Sequence, residues 1–310
     1  MTFGRAGCWA GAAVVRATAM RSTPVTGWTR RDMGKVPSAQ RLRVQESSPS
    51  GPSMPAGIHR EGCGGTMVRK EQYRLGIVGL GRMASTIDDE VRGYSSVTLP
   101  YSVAAGARAI PRLRLAAGCD IRADKREAFS ARWGVTELYE DYERMLREAD
   151  LDLVAICTRG PLHAPMTLAA VAAGVPMVFC EKAMACSLAE ADAVRAAIRA
   201  EGTRFNTGVL RRFDTRYHQA RQLIREGAIG EPRAALHFAP STLLHGHIHS
   251  MDTLSFLLDD PEILAVRGEL LPRDLVAAAG RWEHDPRATY ALEFAGGVEA
   301  ISVAAGNWEF

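Results

Sequence analysis

The stretch YRLGIVGLGRMA, residues 73–84, decides the fold. An apolar run leads directly into Gly79-Leu80-Gly81-Arg82-Met83-Ala84, the pattern GxGxxA. A strand that turns tightly into a helix needs Gly79 for the turn. Gly81 lets the backbone approach a pyrophosphate, and the small Ala84 lets the helix pack against the strand. The amides around Arg82 and Met83 then open the helix, where the dipole favours an anion. A Gly-rich turn alone is a weak signal; its place after an apolar strand makes this one a dinucleotide-binding pattern.

Such a pattern asks for an acid at the end of the second strand. LRLAAGCD, residues 113–120, supplies Asp120, later than the usual roughly 20 residues. Residues 86–112 must therefore hold a long first helix and an inserted loop. Asp120 is expected on the ribose hydroxyls, which favours NAD. Arg122 stands where a 2′-phosphate would meet it, so NAD or NADP stays open. Without a ligand, Asp120 reads as the N-cap of the helix ADKREAFSARW.

Farther on, strands and helices alternate: LDLVAICT, HAPMTLAAVAAG, PMVFCEK, LAEADAVRAAIRAEG and RFNTGV. Continuously apolar strands interleaved with helices imply a parallel sheet covered on both faces. Ligand sites in such sheets lie beyond the carboxyl ends of the strands. Thr158, Glu181, Lys182 and Asn206 fall at or near those ends.

The 310 residues suffice for one large or two ordinary domains, and 47% hydrophobic with 24% charged content describes a globular chain. No apolar run approaches the roughly 18–20 residues a bilayer requires, so no membrane partner is expected. The six cysteines form no CxxC pair and read as reduced thiols of a cytoplasmic protein. Residues 1–66 carry nine basic against three acidic side chains, a net of +6, which leaves −3 for residues 67–310. That front end lacks a sustained amphipathic period and reads as a disordered leader or non-native extension, with Met67 a candidate start. Its charge is dilute and its aromatics few, which argues against a nucleic-acid arm.

Four segments in order, GIVGLGRMA, LVAICTRGPLHAPMTLAAVAAGVPMVFCEKAMA, LRRFDTRYHQARQLIREGAIGEPR and HGHIHSMDTLSFLLDDP, resemble the glucose–fructose oxidoreductase/inositol dehydrogenase (Gfo/Idh/MocA) family. The resemblance runs from about Arg74 to the C-terminus. It implies an α/β protein: a Rossmann domain over residues 67–209 and, over 210–310, an α/β domain with a large, mostly antiparallel open sheet. The chain ends at NWEF, earlier than the resemblance leads one to expect, so a terminal strand is expected to be missing. The resemblance further implies NAD(P)-dependent oxidation of a sugar- or cyclitol-like hydroxyl, or reduction of the ketone. It also implies a homodimer or homotetramer built through the open sheet.

Residue by residue, EKA matches the family's Glu-Lys-Pro, with Ala183 in place of proline; this sets Glu181 and Lys182 beside cofactor and substrate. TRG replaces the usual TPN, with Thr158 and His163 as cofactor contacts. Arg212 resembles an arginine near the active site. The family's Asp, three residues, His, two residues, Asp falls on His245, His249 and Asp252, so an imidazole stands where a carboxylate is usual. Arg212 and Asp252 are thereby expected near substrate.

The chemistry suits these residue types. Oxidising an alcohol removes a hydroxyl proton as hydride leaves carbon, and a histidine titrating near neutrality is suited to take it. Lysine can hold the same oxygen and stabilise developing alkoxide charge. The histidines of HGHIHSMD, residues 245–252, also admit a metal site, since read as a strand all three share one face. Read as a helix, only His245 and His249 do, leaving His247 to point to solvent or a neighbouring surface; that reading is preferred, with no metal. A silent nucleotide-binding sensor on the same fold is the alternative to the enzyme.

Overall fold

The computed structural model describes residues 70–94, 97–239, 241–271 and 285–303. The basic segment 1–66 and the terminal NWEF lie outside the described residues. The chain divides into two units between Val209 and Leu210.

The first unit runs β1 (Tyr73–Val78), α1 (Ile87–Val91), α2 (Val103–Arg108), β2 (Leu113–Cys119), α3 (Ala123–Trp133), β3 (Glu137–Tyr139) and α4 (Tyr142–Glu148). It continues β4 (Leu153–Ile156), α5 (Gly160–Ala172), β5 (Met177–Cys180), α6 (Leu188–Glu201) and β6 (Arg204–Thr207). The six strands form one parallel sheet in the order β3-β2-β1-β4-β5-β6. Strand order reverses between β1 and β4, so the sheet has its switch point beside the glycine loop.

Alternate side chains of β1 serve opposite faces. Leu75 and Ile77 pack with Ala104 of α2 and Phe129 of α3. Val78 packs with Met145 of α4, Ile156 and Ala170 of α5. Each fully buried aliphatic side chain here contributes about 1.5–3 kcal/mol. Burial on both faces explains why these strands read as unbroken apolar runs.

Among the described residues the expected long first helix does not form. Residues 82–86 form a π-helical turn, α1 spans only 5 residues, and α2 begins at Val103. The buried carboxylate of Asp88 accepts hydrogen bonds from the amides of Tyr101 (2.7 Å) and Ser102 (3.0 Å). An acid that reads as helix interior thus secures the amides ahead of α2, where Ser102 caps the helix through the amide of Ala105.

The second unit has a 3₁₀ turn (Leu210–Phe213), α7 (Thr215–Arg225), β7 (Ala234–Phe238), a π-helical turn (Leu243–His247) and α8 (Ile248–Leu257). Strands β8 (Ile263–Leu271), β9 (Arg287–Phe294) and β10 (Glu299–Val303) follow. The sheet order is β7-β10-β9-β8, parallel between β7 and β10 and antiparallel elsewhere. Leu254 of α8 packs on Tyr290, Leu292, Phe294 and Ala300, with Met251 and Leu258 beside it. The other face leaves Leu236, Phe238 and Ile301 exposed. Among the described residues, no helix is long and apolar enough to cross a membrane.

Candidate functional site

The glycine loop leaves β1 with Gly79 at φ +83°, a conformation L side chains rarely adopt. A Cβ at Gly79 would lie 2.9 Å from both the Cys157 carbonyl oxygen and Thr158 Cγ2, so the loop seats directly on the end of β4. At Gly81 an added Cβ meets nothing within 4 Å. The loop therefore presents open space where a pyrophosphate would approach. Ala84 is fully buried against the β1 core, as helix packing requires. Arg82 is exposed and pairs with Glu90, and Met83 is half-buried.

Asp120 closes this loop from the next strand. One carboxylate oxygen accepts the Leu80 amide at 2.9 Å, and the other accepts the Arg122 amide at 3.0 Å. The N-cap of α3 is Arg122, not Asp120. The Arg122 guanidinium lies against Asp124 at 2.9 and 2.6 Å, so a 2′-phosphate would have to displace a carboxylate already in place.

Beyond β4 and β5, one buried histidine joins two loops. His163 Nδ1 lies 2.7 Å from the Ala183 carbonyl, and Nε2 lies 3.0 Å from the Thr158 carbonyl. Its side chain is 1% exposed and both nitrogens are engaged. His163 thus ties together the segments carrying Thr158 and Lys182. Burial lowers its pKa, outweighing the two carbonyls, which favour the cation.

Glu181 is buried, and burial raises its carboxyl pKa. One oxygen accepts the Lys182 amide at 3.3 Å, while a Cβ at Gly208 would come within 2.9 Å of it. Lys182 is half-buried two residues past β5, and its peptide bond to Ala183 is cis. Asn206 lies within β6.

In the second unit, the three histidines fall into three environments. His245 is exposed, His249 half-buried and His247 wholly buried. The expectation that His247 faces solvent or a neighbouring surface is corrected. The π-helical turn swings it under α8, where Nε2 lies 3.2 Å from the Ala239 carbonyl. Gly246 permits this turn, since a Cβ there would fall 1.8 Å from Ser241 Oγ. Among the described residues, no group of three or more His, Cys, Asp or Glu is placed to hold a metal ion.

Arg212 and Asp252 form an ion pair with each other. Arg212 also grips Asp260 at 3.1 and 2.5 Å, and its guanidinium stacks 5.4 Å from the Phe256 ring centroid. These contacts engage each of its three nitrogens and make an internal staple between the 3₁₀ turn and α8. Asp252 is held in the same staple. Burial raises its pKa, and Arg212 opposes that shift.

Residues 73–209 match the family model described as oxidoreductase family, NAD-binding Rossmann fold. Over that segment the chain carries the Rossmann fold of the Gfo/Idh/MocA oxidoreductases. It is 31% identical over 233 residues to inositol 2-dehydrogenase of Acidothermus cellulolyticus, a match covering 71% of this chain and 62% of that protein. Similarity to inositol 2-dehydrogenase 3 of Saccharopolyspora erythraea is 29%, covering 69% and 61% respectively. The chain thus spans about three fifths of the length of these relatives. Apo scyllo-inositol dehydrogenase from Lactobacillus casei shares the fold with a TM-score of 0.57 at 24% identity, covering 77% of this chain and 70% of that one.

Two features of this chain are not legible in its sequence. One is the row of His237, Ser302 and Tyr290 beneath His247, set by pairing between strands distant in sequence. The other is the Arg212–Asp260 pair, 48 residues apart. Three-residue spacing within HGHIHSMD carries no signal for either.

Proposed function

We propose that the chain is an NAD-dependent oxidoreductase that moves hydride between nicotinamide and a hydroxyl-bearing carbon of a sugar- or cyclitol-like substrate. The observation that carries this reading is the hydrogen bond from the Leu80 amide to Asp120, which joins the acid of the fingerprint to the glycine loop. The open approach at Gly81 supports it, as does the kinship with proteins named inositol 2-dehydrogenase.

Gly79, Gly81 and the amides of Arg82 and Met83 would hold the pyrophosphate, and Asp120 the ribose hydroxyls. NAD is favoured over NADP because Asp124 already occupies Arg122. When bound, the nicotinamide supplies the hydride acceptor. Lys182 donates a hydrogen bond to the substrate oxygen and stabilises alkoxide charge; His249 takes the hydroxyl proton. Exposed Leu236, Phe238 and Ile301 suit a second copy of this chain, making a homodimer or homotetramer.

Calorimetric titration with NAD, followed by NADH absorbance with a panel of inositols and aldoses, tests the reading. Binding with turnover of at least one polyol is expected. Absence of NAD binding, or binding without turnover of any panel member, overturns it.

A further inference from the structure

We infer that His247 is a positioning residue, whose buried imidazole locks the turn carrying His245 and His249 onto the sheet beneath. The inference rests on the proposed role of His249, and one arm of its test is independent of that role.

Strand pairing builds the platform. Ser302 of β10 stands opposite His237 of β7 and opposite Tyr290 of β9. Three adjacent strands thus place these side chains in one row across the sheet. The His247 ring lies over that row, with centroid distances of 6.5 Å to His237 and 5.5 Å to Tyr290, both edge-on. The neighbouring core on this face is apolar, formed by Leu254, Leu292, Phe294 and Ala300.

The partners set the proton positions. The Ala239 carbonyl only accepts, so His247 Nε2, 3.2 Å away, carries a proton and donates. His247 Nδ1 lies 3.3 Å from Ser302 Oγ, and Ser302 Oγ lies 3.5 Å from His237 Nδ1. One order satisfies His237 Nδ1, Ser302 Oγ and both His247 nitrogens. His237 Nδ1–H donates to Ser302 Oγ, Ser302 O–H donates to His247 Nδ1, and His247 Nε2–H donates to the Ala239 carbonyl. His247 and Ser302 are both fully buried, so water cannot substitute for either partner.

A buried, directional network fixes orientation in a way an aliphatic side chain cannot, because hydrogen bonds constrain angle as well as distance. His247 is the last residue of the π-helical turn, and α8 starts at Ile248. Releasing the ring from these partners would free the backbone of this turn, on which both flanking histidines sit. The sequence therefore uses its middle histidine to aim the outer two.

The test uses the full chain with two variants. Histidine ring ¹⁵N spectra of the wild type are expected to show His247 as the Nε2–H tautomer. His247→Leu keeps bulk and removes both hydrogen bonds, whereas His247→Gln keeps a donor within reach of the Ala239 carbonyl. Relative to wild type, His247→Leu is expected to shift the His249 ring resonances and lower kcat with NAD and an inositol about tenfold or more. The NAD dissociation constant should stay within about twofold, because the glycine loop belongs to the other unit. His247→Gln should recover most of both effects. An Nδ1–H tautomer in the wild type, or unmoved His249 resonances in His247→Leu, overturns the inference. If His247→Leu does not fold, the wild-type tautomer and the same spectra of Ser302→Ala decide. A wild type that turns over no polyol defeats the proposed activity, and the ring spectra still decide this inference.

Discussion

The carboxylate of Asp120, at the end of the second strand, accepts a hydrogen bond from the amide of Leu80 at 2.9 Å. The acid expected to read ribose therefore also shapes the loop expected to hold pyrophosphate. Asp120→Ala should raise the NAD dissociation constant by about 10- to 100-fold, the loss of one or two charge-assisted hydrogen bonds. NADP should suffer less, since its 2′-oxygen carries phosphate rather than a free hydroxyl. Calorimetric titration of both cofactors checks this; equal losses would remove the ribose role and leave only the loop contact.

His163 makes stability pH-dependent in a defined direction. Burial lowers its pKa in the folded state below the ordinary value of 6.5. As pH falls below about 6.5, the unfolded chain binds a proton that the folded chain refuses, so stability drops with acidification. The loss ends once pH passes below the folded pKa. Urea melts between pH 5 and 8 should show a steeper acid limb in wild type than in His163→Gln. Identical slopes would mean that His163 binds a proton equally in both states.

Arg212 separates two accounts of one residue. As a substrate contact, its removal would raise KM and spare stability. As the staple seen here, Arg212→Ala leaves Asp252, 9% exposed at its side chain, without its counter-charge. A cost of about 1–3 kcal/mol is expected, below that of a fully buried pair because Asp260 is half in solvent. Chemical denaturation measures it. Unchanged stability with a raised KM would restore the substrate role.

His249→Ala should lower kcat by about 10²-fold or more, the usual size of a lost general base. His245→Ala, at an exposed position, should cost less. Steady-state kinetics with NAD and an inositol, with and without a chelator, read both variants. Loss of wild-type turnover on chelation would point to a metal and against hydride transfer assisted by these side chains.

How far each of these features could be read beforehand depends on how local its cause is. The apolar runs of β1, β2, β4 and β5 declare a doubly covered sheet, because burial on both faces leaves no polar alternation to confuse the pattern. Gly79 and Gly81 declare a loop, because a positive φ and an uncluttered approach are demands on single residues. The helix expected after Thr86 stops short because Asp88 is satisfied by amides 13 and 14 residues away, outside any helical window.

Strand composition and spacing thus determined the parallel sheet of the first unit, the glycine loop and the acid at Asp120, while the second unit and the pair His245 and His249 were legible only through the family resemblance. Tertiary structure alone decided which partners Arg212, His163 and His247 find. Each carries long-range partners: Asp260 for Arg212, the Ala183 carbonyl for His163, and Ser302 for His247. A buried polar side chain must find its hydrogen bonds wherever the fold supplies them. Those partners come from other elements, so residue type and local spacing could not name them.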